Sequence, residues 1–365
     1  MLSNLCLATV LVVAVTATLV TTRGSAQTGL ERTDEAIART TERLAIKLPE
    51  HVTANLAVRA ALDELTREAC DQKAIANLST ALDKAGFRRQ AATANISFSD
   101  QCGGYPWSLR KAANLLLELG DNTQAVSVAS DLIKLEPFGD NGYFLRALAS
   151  EKAGNYKKAV EDYITALELF GNKERVSSVG YMNLARSYDR LGLHCDAVLP
   201  IEAWVALNPS RNDNSQIRTI IADYTARGKC SAAKAGGVET FPIGRSNQLI
   251  RVVVQINGVQ GNFIVDTGAT FVSVKAGFAR KANVDIEHDS IIKLHTANGM
   301  TDAKRGRART IQLRSLSASD VPIVVQTDTA GTYGDGIDGL LGMSFLSRFN
   351  VAMEANTLKI TKRER

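Results

Sequence analysis

The chain has no glycine-rich phosphate cradle, no His-Glu-x-x-His pair and no nucleophile elbow, which removes nucleotide hydrolysis, zinc-peptidase and serine-hydrolase chemistry. It has only four histidines, His194 alone lies beside a cysteine, and no two cysteines are close, so no zinc-type ligand cluster is expected. Strand signals are scarce before about Gly237. No recognition module or interleaved aromatics accompany the basic residues, so no nucleic-acid partner is expected. Neither a metal nor a cofactor is predicted.

What is present begins with an apolar run over residues 5–20, with no charged side chain before Arg23 and then Gly24-Ser25-Ala26. An apolar h-region followed by small residues is the pattern of an export signal cleaved after Ala26. It lacks a basic n-region. Left uncut, a run of about sixteen residues is short for a full span but could anchor the chain. Residues 1–26 are therefore a signal peptide or N-terminal anchor, and the protein is expected to be exported, periplasmic or secreted.

Removal of Cys6 with the leader leaves Cys70, Cys102, Cys195 and Cys230, an even count that in an exported chain implies two disulfides. Three pairings are possible. Cys70 with Cys102 and Cys195 with Cys230 would each staple a local helical hairpin, closing loops of about thirty residues worth about 3 kcal/mol each.

A chain of 365 residues has room for two or three domains. From Leu30 to about Gly237 the pattern is helical, with apolar residues at three- and four-residue spacing such as Leu56, Ala60, Ala61 and Leu65. Gly120-Asp121 with Ala125 recurs 34 residues later as Gly154-Asn155 with Ala159, and Pro137 matches Gly171 at the same step. A third copy follows after 38 residues at Gly192, Ala197 and Pro209, the extra four fitting the polar loop at 172–175. That period, with Trp107, Tyr143 and Tyr181 opening successive units, resembles the tetratricopeptide repeat family. The resemblance implies a curved helical solenoid that holds a peptide or protein partner. The expected organisation is a helical region at 27–104 without discernible repeats, tetratricopeptide-like repeats at 105–230, a flexible linker at 231–240 and a separate domain at 241–365.

The net charge of +5 arises entirely after residue 240, partly in Lys304-Arg305-Gly306-Arg307-Ala308-Arg309 and partly in the tail Lys362-Arg363-Glu364-Arg365. These read as a solvated strand and a solvated tail.

In that last part Val252 to Ile256 and Phe263 to Val265 are apolar runs around Asn257-Gly258, the strongest short-range hairpin signal. The second run leads into Asp266-Thr267-Gly268-Ala269, placing a carboxylate at the end of a buried strand where its ionisation can be tuned. Two facing carboxylates share a proton and can hold a water between them, one acting as base and the other as acid in amide hydrolysis. The chain supplies only one such element. Asp328-Thr329-Ala330 lacks the glycine and reads as a loop, and 125 residues from Phe241 to the end leave room for one lobe. The second carboxylate is therefore expected from Asp266 of another copy, on the two-fold axis of a homodimer.

With those residues in view, 250–360 resembles the retropepsin-like aspartic protease family in its bacterial exported form. Three stretches carry the likeness: Val265 to Thr270; Thr296-Ala297-Asn298-Gly299, where the family has its flap; and Asp338-Gly339-Leu340-Leu341-Gly342 with Met343 to Leu346 after it. The resemblance implies an all-β barrel that hydrolyses peptides. Asp266 would be the catalytic acid and base, Thr267 would hydrogen-bond across the two-fold, and Gly268 would let the backbone approach substrate. The segment at 296–299, less glycine-rich than in viral members, would close over the peptide, and Leu340, Leu341 and Gly342 would support the loop from below. His295 reads as a solvated strand residue. The alternative is a non-catalytic protein whose repeats hold a partner while the β domain dimerises.

Overall fold

A computed structural model describes residues 34–171, 177–231, 233–243, 249–296, 299–326, 333–354 and 356–362. The leader, the loop at 172–175, Ala297 and Asn298, the segment at 328–330 and the final three residues of the tail lie outside these. The chain forms two compact units, one ending at Leu135 and the other beginning at Glu136.

The first unit is helical: α1 (34–43), α2 (Glu50–Thr53), α3 (Leu56–Arg67), α4 (Gln72–Lys84), α5 (Arg88–Gln101), α6 (Pro106–Glu118) and α7 (Asn122–Leu135). Asn55 and Asp71 start α3 and α4 by accepting the first free backbone N–H groups. The helix α3 forms as its spacing predicts, and its buried stripe is Val58, Ala61, Leu62 and Leu65, while Leu56, at the first helical position, is 87% exposed and Ala60 is exposed too. Cys70, in the α3–α4 connection, is bonded to Cys102 at the end of α5.

The second unit opens with α8 (Asp140–Lys152), α9 (Tyr156–Leu169), α10 (Ser178–Arg190), α11 (His194–Leu207), α12 (Pro209–Asn212) and α13 (Ser215–Gly228). Cys195, in the first turn of α11, is bonded to Cys230 just beyond α13. The turns inside the pairs α4–α5, α6–α7, α8–α9 and α10–α11 share one device. Gly86, Gly120, Gly154 and Gly192 all have φ between +75° and +86°, and each turn returns two N–H groups to the carbonyls of the last helical turn. Ala91, Ala125, Ala159 and Ala197, five residues after each glycine, are fully buried and let the paired helices approach closely. The repeat thus starts one unit earlier than expected, at α4. Phe87 stands where the later turns have Asp121, Asn155 and Leu193.

The β part comprises β1 (Lys234–Ala235), β2 (Glu239–Pro242), β3 (Arg251–Ile256), β4 (Val259–Val265), β5 (Val272–Lys275), β6 (Asp285–Ile286), β7 (Ile292–Thr296), β8 (Gly299–Leu313), β9 (Leu316–Gln326), β10 (Gly339–Leu341), β11 (Phe349–Glu354) and β12 (Thr357–Lys362). Short helices α14 (Ala276–Lys281) and α15 (Met343–Leu346) interrupt it. Strands β9, β5, β10, β4, β3 and β8 pair in that order, and β8 pairs back to β9, closing a barrel around Val254, Phe263, Val272, Ile311, Leu341 and Phe345. A smaller sheet, β11-β12-β2, lies beside it.

The expected linker at 231–240 is not a free tether. It contains β1, paired to β9, and the start of β2, paired to β12. Nor do the repeat helices end where a separate barrel begins. Tyr163, Ile164, Leu184 and Ile201 share one buried cluster with Phe271, Ile292, Leu294, Ala303 and Val324 of the β part. Arg307 on β8 reaches both carboxylate oxygens of Asp196 on α11, which is 3% exposed. Burial opposes the Arg307 charge, but Asp196 holds its pKa above the ordinary arginine range.

Candidate active site

The β3–β4 hairpin forms as the sequence predicts. Asn257 (φ +51°) and Gly258 (φ +86°) both take the left-handed backbone that a two-residue turn requires. The Asn257 side chain fixes the turn further, donating to the Ala282 carbonyl at 2.8 Å and accepting from the Thr310 N–H at 3.1 Å. Register follows: Gly261 and Phe263 point into the barrel, while Ile264 and then Asp266 lie on the opposite face.

Asp266 is the first residue past β4, and its N–H donates to the Leu341 carbonyl at 3.1 Å. Strand β10 runs parallel to β4, pairing Gly339, Leu340 and Leu341 with Phe263, Ile264 and Val265. Two glycines permit this. A methyl group on Gly339 would stand 2.1 Å from the Ser273 carbonyl oxygen, and one on Gly342 would stand 2.1 Å from that of Phe271. Beyond Gly342 the bonds continue, with the N–H groups of Met343 and Ser344 donating to the Ala269 and Thr270 carbonyls at 2.8 and 2.9 Å. The Ser344 hydroxyl accepts from Val272 N–H at 2.9 Å. Leu341 is fully buried in the barrel core, whereas Leu340 is half-buried on the Asp266 face.

The carboxylate of Asp266 is half-buried and accepts the Gly268 N–H at 2.9 Å through Oδ1. Thr267 and Gly268 are exposed and Ala269 half-buried. Gly268 is not among the left-handed glycines, and a methyl group there would meet only Asp266 Oδ1, at 3.2 Å. The glycines that close contact requires here are Gly339 and Gly342, where backbone meets backbone.

Of the expected flap residues, Thr296 and Gly299 are described. They are paired at the end of the β7–β8 hairpin, and the Thr296 hydroxyl donates to the Gly299 carbonyl at 2.7 Å. Below them Lys293 and Asp302 form a cross-strand ion pair at 2.8 Å. Two residues given no role from sequence hold the site together. Ser344 bridges to β5 as above, and Asp338 accepts the Asn262 N–H through Oδ2 at 2.8 Å while its own N–H donates to the Asn262 carbonyl. Only their place beside Gly339 and Gly342 could have marked them. Among the described residues no group of three or more His, Cys, Asp and Glu is arranged to hold a metal ion, and no helix is long and apolar enough to cross a membrane.

One chain therefore presents the Asp266 carboxylate on a hydrogen-bonded turn at the edge of a closed barrel, where a carboxyl group can donate or accept a proton.

Residues 252–348 match the family described as gag-polyprotein putative aspartyl protease, and residues 141–173 match the tetratricopeptide repeat. Among solved structures, a retropepsin-like aspartic protease from Rickettsia conorii aligns at 21% identity, over 34% of this chain and 90% of its own, with a TM-score of 0.27. MamA from Desulfovibrio magneticus (residue 41 to the end) aligns at 17% identity over 49% and 97% of the two chains, TM-score 0.38. A thermophilic tetratricopeptide repeat protein from Thermus thermophilus aligns at 18% identity over 46% and 89%, TM-score 0.34. No curated protein matches the chain. Both resemblances seen in the sequence hold: helical repeats similar to the tetratricopeptide family are followed by a β barrel similar to the retropepsin-like aspartic proteases.

Proposed function

We propose that the protein is an exported aspartic endopeptidase that works as a homodimer, with its repeat helices recruiting a peptide or protein substrate or partner. The observation that carries this reading is the seat of Asp266. Its carboxylate projects from a turn held by backbone hydrogen bonds on both sides, to Leu341 before it and to Met343 and Ser344 after it. A group fixed in this way is suited to meet its symmetry mate at short range, which a mobile surface aspartate is not.

In the reaction a water lies between the two Asp266 carboxylates, which share one proton. The ionised member takes a proton from the water as the oxygen attacks the peptide carbonyl, and the protonated member gives its proton to the carbonyl oxygen. Collapse of the tetrahedral intermediate then transfers a proton to the leaving nitrogen. The segment at 296–299 would grip the substrate backbone as an added strand, and Thr267 would bond across the two-fold. The two disulfides are suited to an oxidising, exported environment.

The experiment is digestion of a mixed peptide library by the parent protein and by Asp266→Asn. The proposal expects products from the parent and a loss of at least about a thousandfold in the variant, with unchanged thermal unfolding. Equal cleavage by both would reject Asp266 as the catalytic group. If neither cleaves and a hydroxyl-containing peptide mimic of the transition state does not bind, the scaffold reading takes its place.

A further inference from the structure

The repeat helices touch the candidate site from two directions. On one side α9 lies along β7. The Lys293 N–H donates to Thr165 Oγ1 at 3.3 Å, Thr165 is 2% exposed, and Ile292 and Leu294 sit in one buried cluster with Tyr163 and Ile164. Strand β7 has β8 on its other edge, so Thr165 satisfies an outward N–H that an edge strand would otherwise leave unpaired. On the other side Leu184, Tyr188 and Leu199 of α10 and α11 line a narrow cleft with Thr270 and Phe271, directly beyond the Asp266 turn. Phe271 belongs to the same buried cluster as Ile292 and Leu294.

The helices therefore contact both the turn that carries Asp266 and the hairpin that ends at Thr296 and Gly299. We infer that Thr165 is a positioning residue: through Lys293 it fixes where the β7–β8 hairpin stands relative to the Asp266 turn, making the repeats part of the frame of the cleft as well as a recruiting surface. The inference rests on the endopeptidase reading. A hairpin so placed grips substrate in register with the paired carboxylates, and small displacements of such a grip cost rate or affinity without disturbing the chemical groups.

The test compares parent, Thr165→Val and Thr165→Ser in the full chain, by peptide kinetics and by hydrogen exchange at the Lys293 amide. Valine keeps the volume and removes the acceptor; serine restores it. The expected result for valine is kcat/KM down about tenfold, carried mainly by KM, and Lys293 exchange faster by about tenfold, with serine near the parent in both. Unchanged kinetics or unchanged exchange in valine, or a loss that serine does not recover, would overturn the inference. If Thr165→Val does not fold, Leu294→Val loosens the same contact by one carbon and is held to the same criteria, with Leu294→Ile as its conservative partner. A parent without peptidase activity would defeat the proposed function and this inference with it, whereas an active parent with an indifferent Thr165→Val defeats this inference alone.

Discussion

At Gly342 a single hydrogen atom separates a working turn from a collision. Replacing Gly342 by alanine places a methyl group 2.1 Å from the Phe271 carbonyl oxygen, so either α15 or the Asp266 turn must move. The expected cost is about 3 kcal/mol or more, seen as a fall in thermal midpoint, with a loss of peptidase activity beyond what the lower stability explains. Gly268→Ala, which meets only a carboxylate oxygen at 3.2 Å, should cost less than about 1 kcal/mol by the same measurement. Glu239 gives a pH test. Its hydrogen bonds from the Ser315 hydroxyl (2.6 Å) and N–H (3.1 Å), helped by Arg314, hold its carboxyl below the usual carboxylate range, although burial opposes this. A carboxyl depressed in the folded state adds stability that is present above the unfolded pKa and is lost as pH falls through the folded one. Glu239→Gln should therefore flatten the acid limb of the stability profile below about pH 4, and an unchanged limb would contradict that assignment. At this scale the place of Asp266 at the end of a buried strand was legible because the apolar run at 263–265 leads directly into Asp-Thr-Gly. Asp338 and Ser344 were not, since their partners are backbone groups about seventy-five residues away that no local pattern reveals.

Among the elements, the hairpin at Asn257-Gly258 was readable because it is local chemistry, a turn that needs two left-handed residues, whereas the β10 segment was marked only by its resemblance to the family and its parallel pairing with β4 is too distant in the chain to be read locally. The repeat was only partly readable. Its period shows through the glycine caps and buried alanines, including Gly86 and Ala91 of the α4–α5 pair, and in α3 two helical spacings compete, of which Val58, Ala61, Leu62 and Leu65 is the buried one while Leu56 is exposed. Each disulfide ties neighbouring helices, Cys70 and Cys102 standing at a sequence separation of 32 and Cys195 and Cys230 at 35. Replacing Cys70 and Cys102 together by serine should remove about 3 kcal/mol, measured by denaturant unfolding under non-reducing conditions. A double variant as stable as the parent would show that the bridge constrains nothing the helices do not already hold. The Asp196–Arg307 pair joins helix to barrel, and Asp196→Ala, which leaves Arg307 half-buried with Asp320 as its remaining partner at 3.2 Å, should cost about 1–3 kcal/mol in the same assay.

For the molecule as a whole, the sequence suggested separable modules, and the second unit is not built that way. Local composition marks where helix gives way to strand near residue 237, yet it cannot show that Phe271, Ile292, Leu294 and Val324 leave the barrel surface to be covered by α9, α10 and α11. A fragment starting at 241 would also lose β1 and half of β2. We expect a fragment of 136–365 to unfold cooperatively and the shorter 241–365 to aggregate or lose its cooperative transition. A soluble, cooperative 241–365 fragment would mean that the helical cover is dispensable.

The central claim is that two chains each lend one Asp266 to a single site, and subunit mixing addresses it most directly. Parent and Asp266→Asn chains are co-refolded in equal amounts at constant total concentration and assayed on one peptide. A shared site predicts that activity falls to about a quarter of the parent value, because only dimers with two parent chains work. Activity at half, strictly proportional to the parent chains added, would mean that each chain carries its own complete site and would contradict the account.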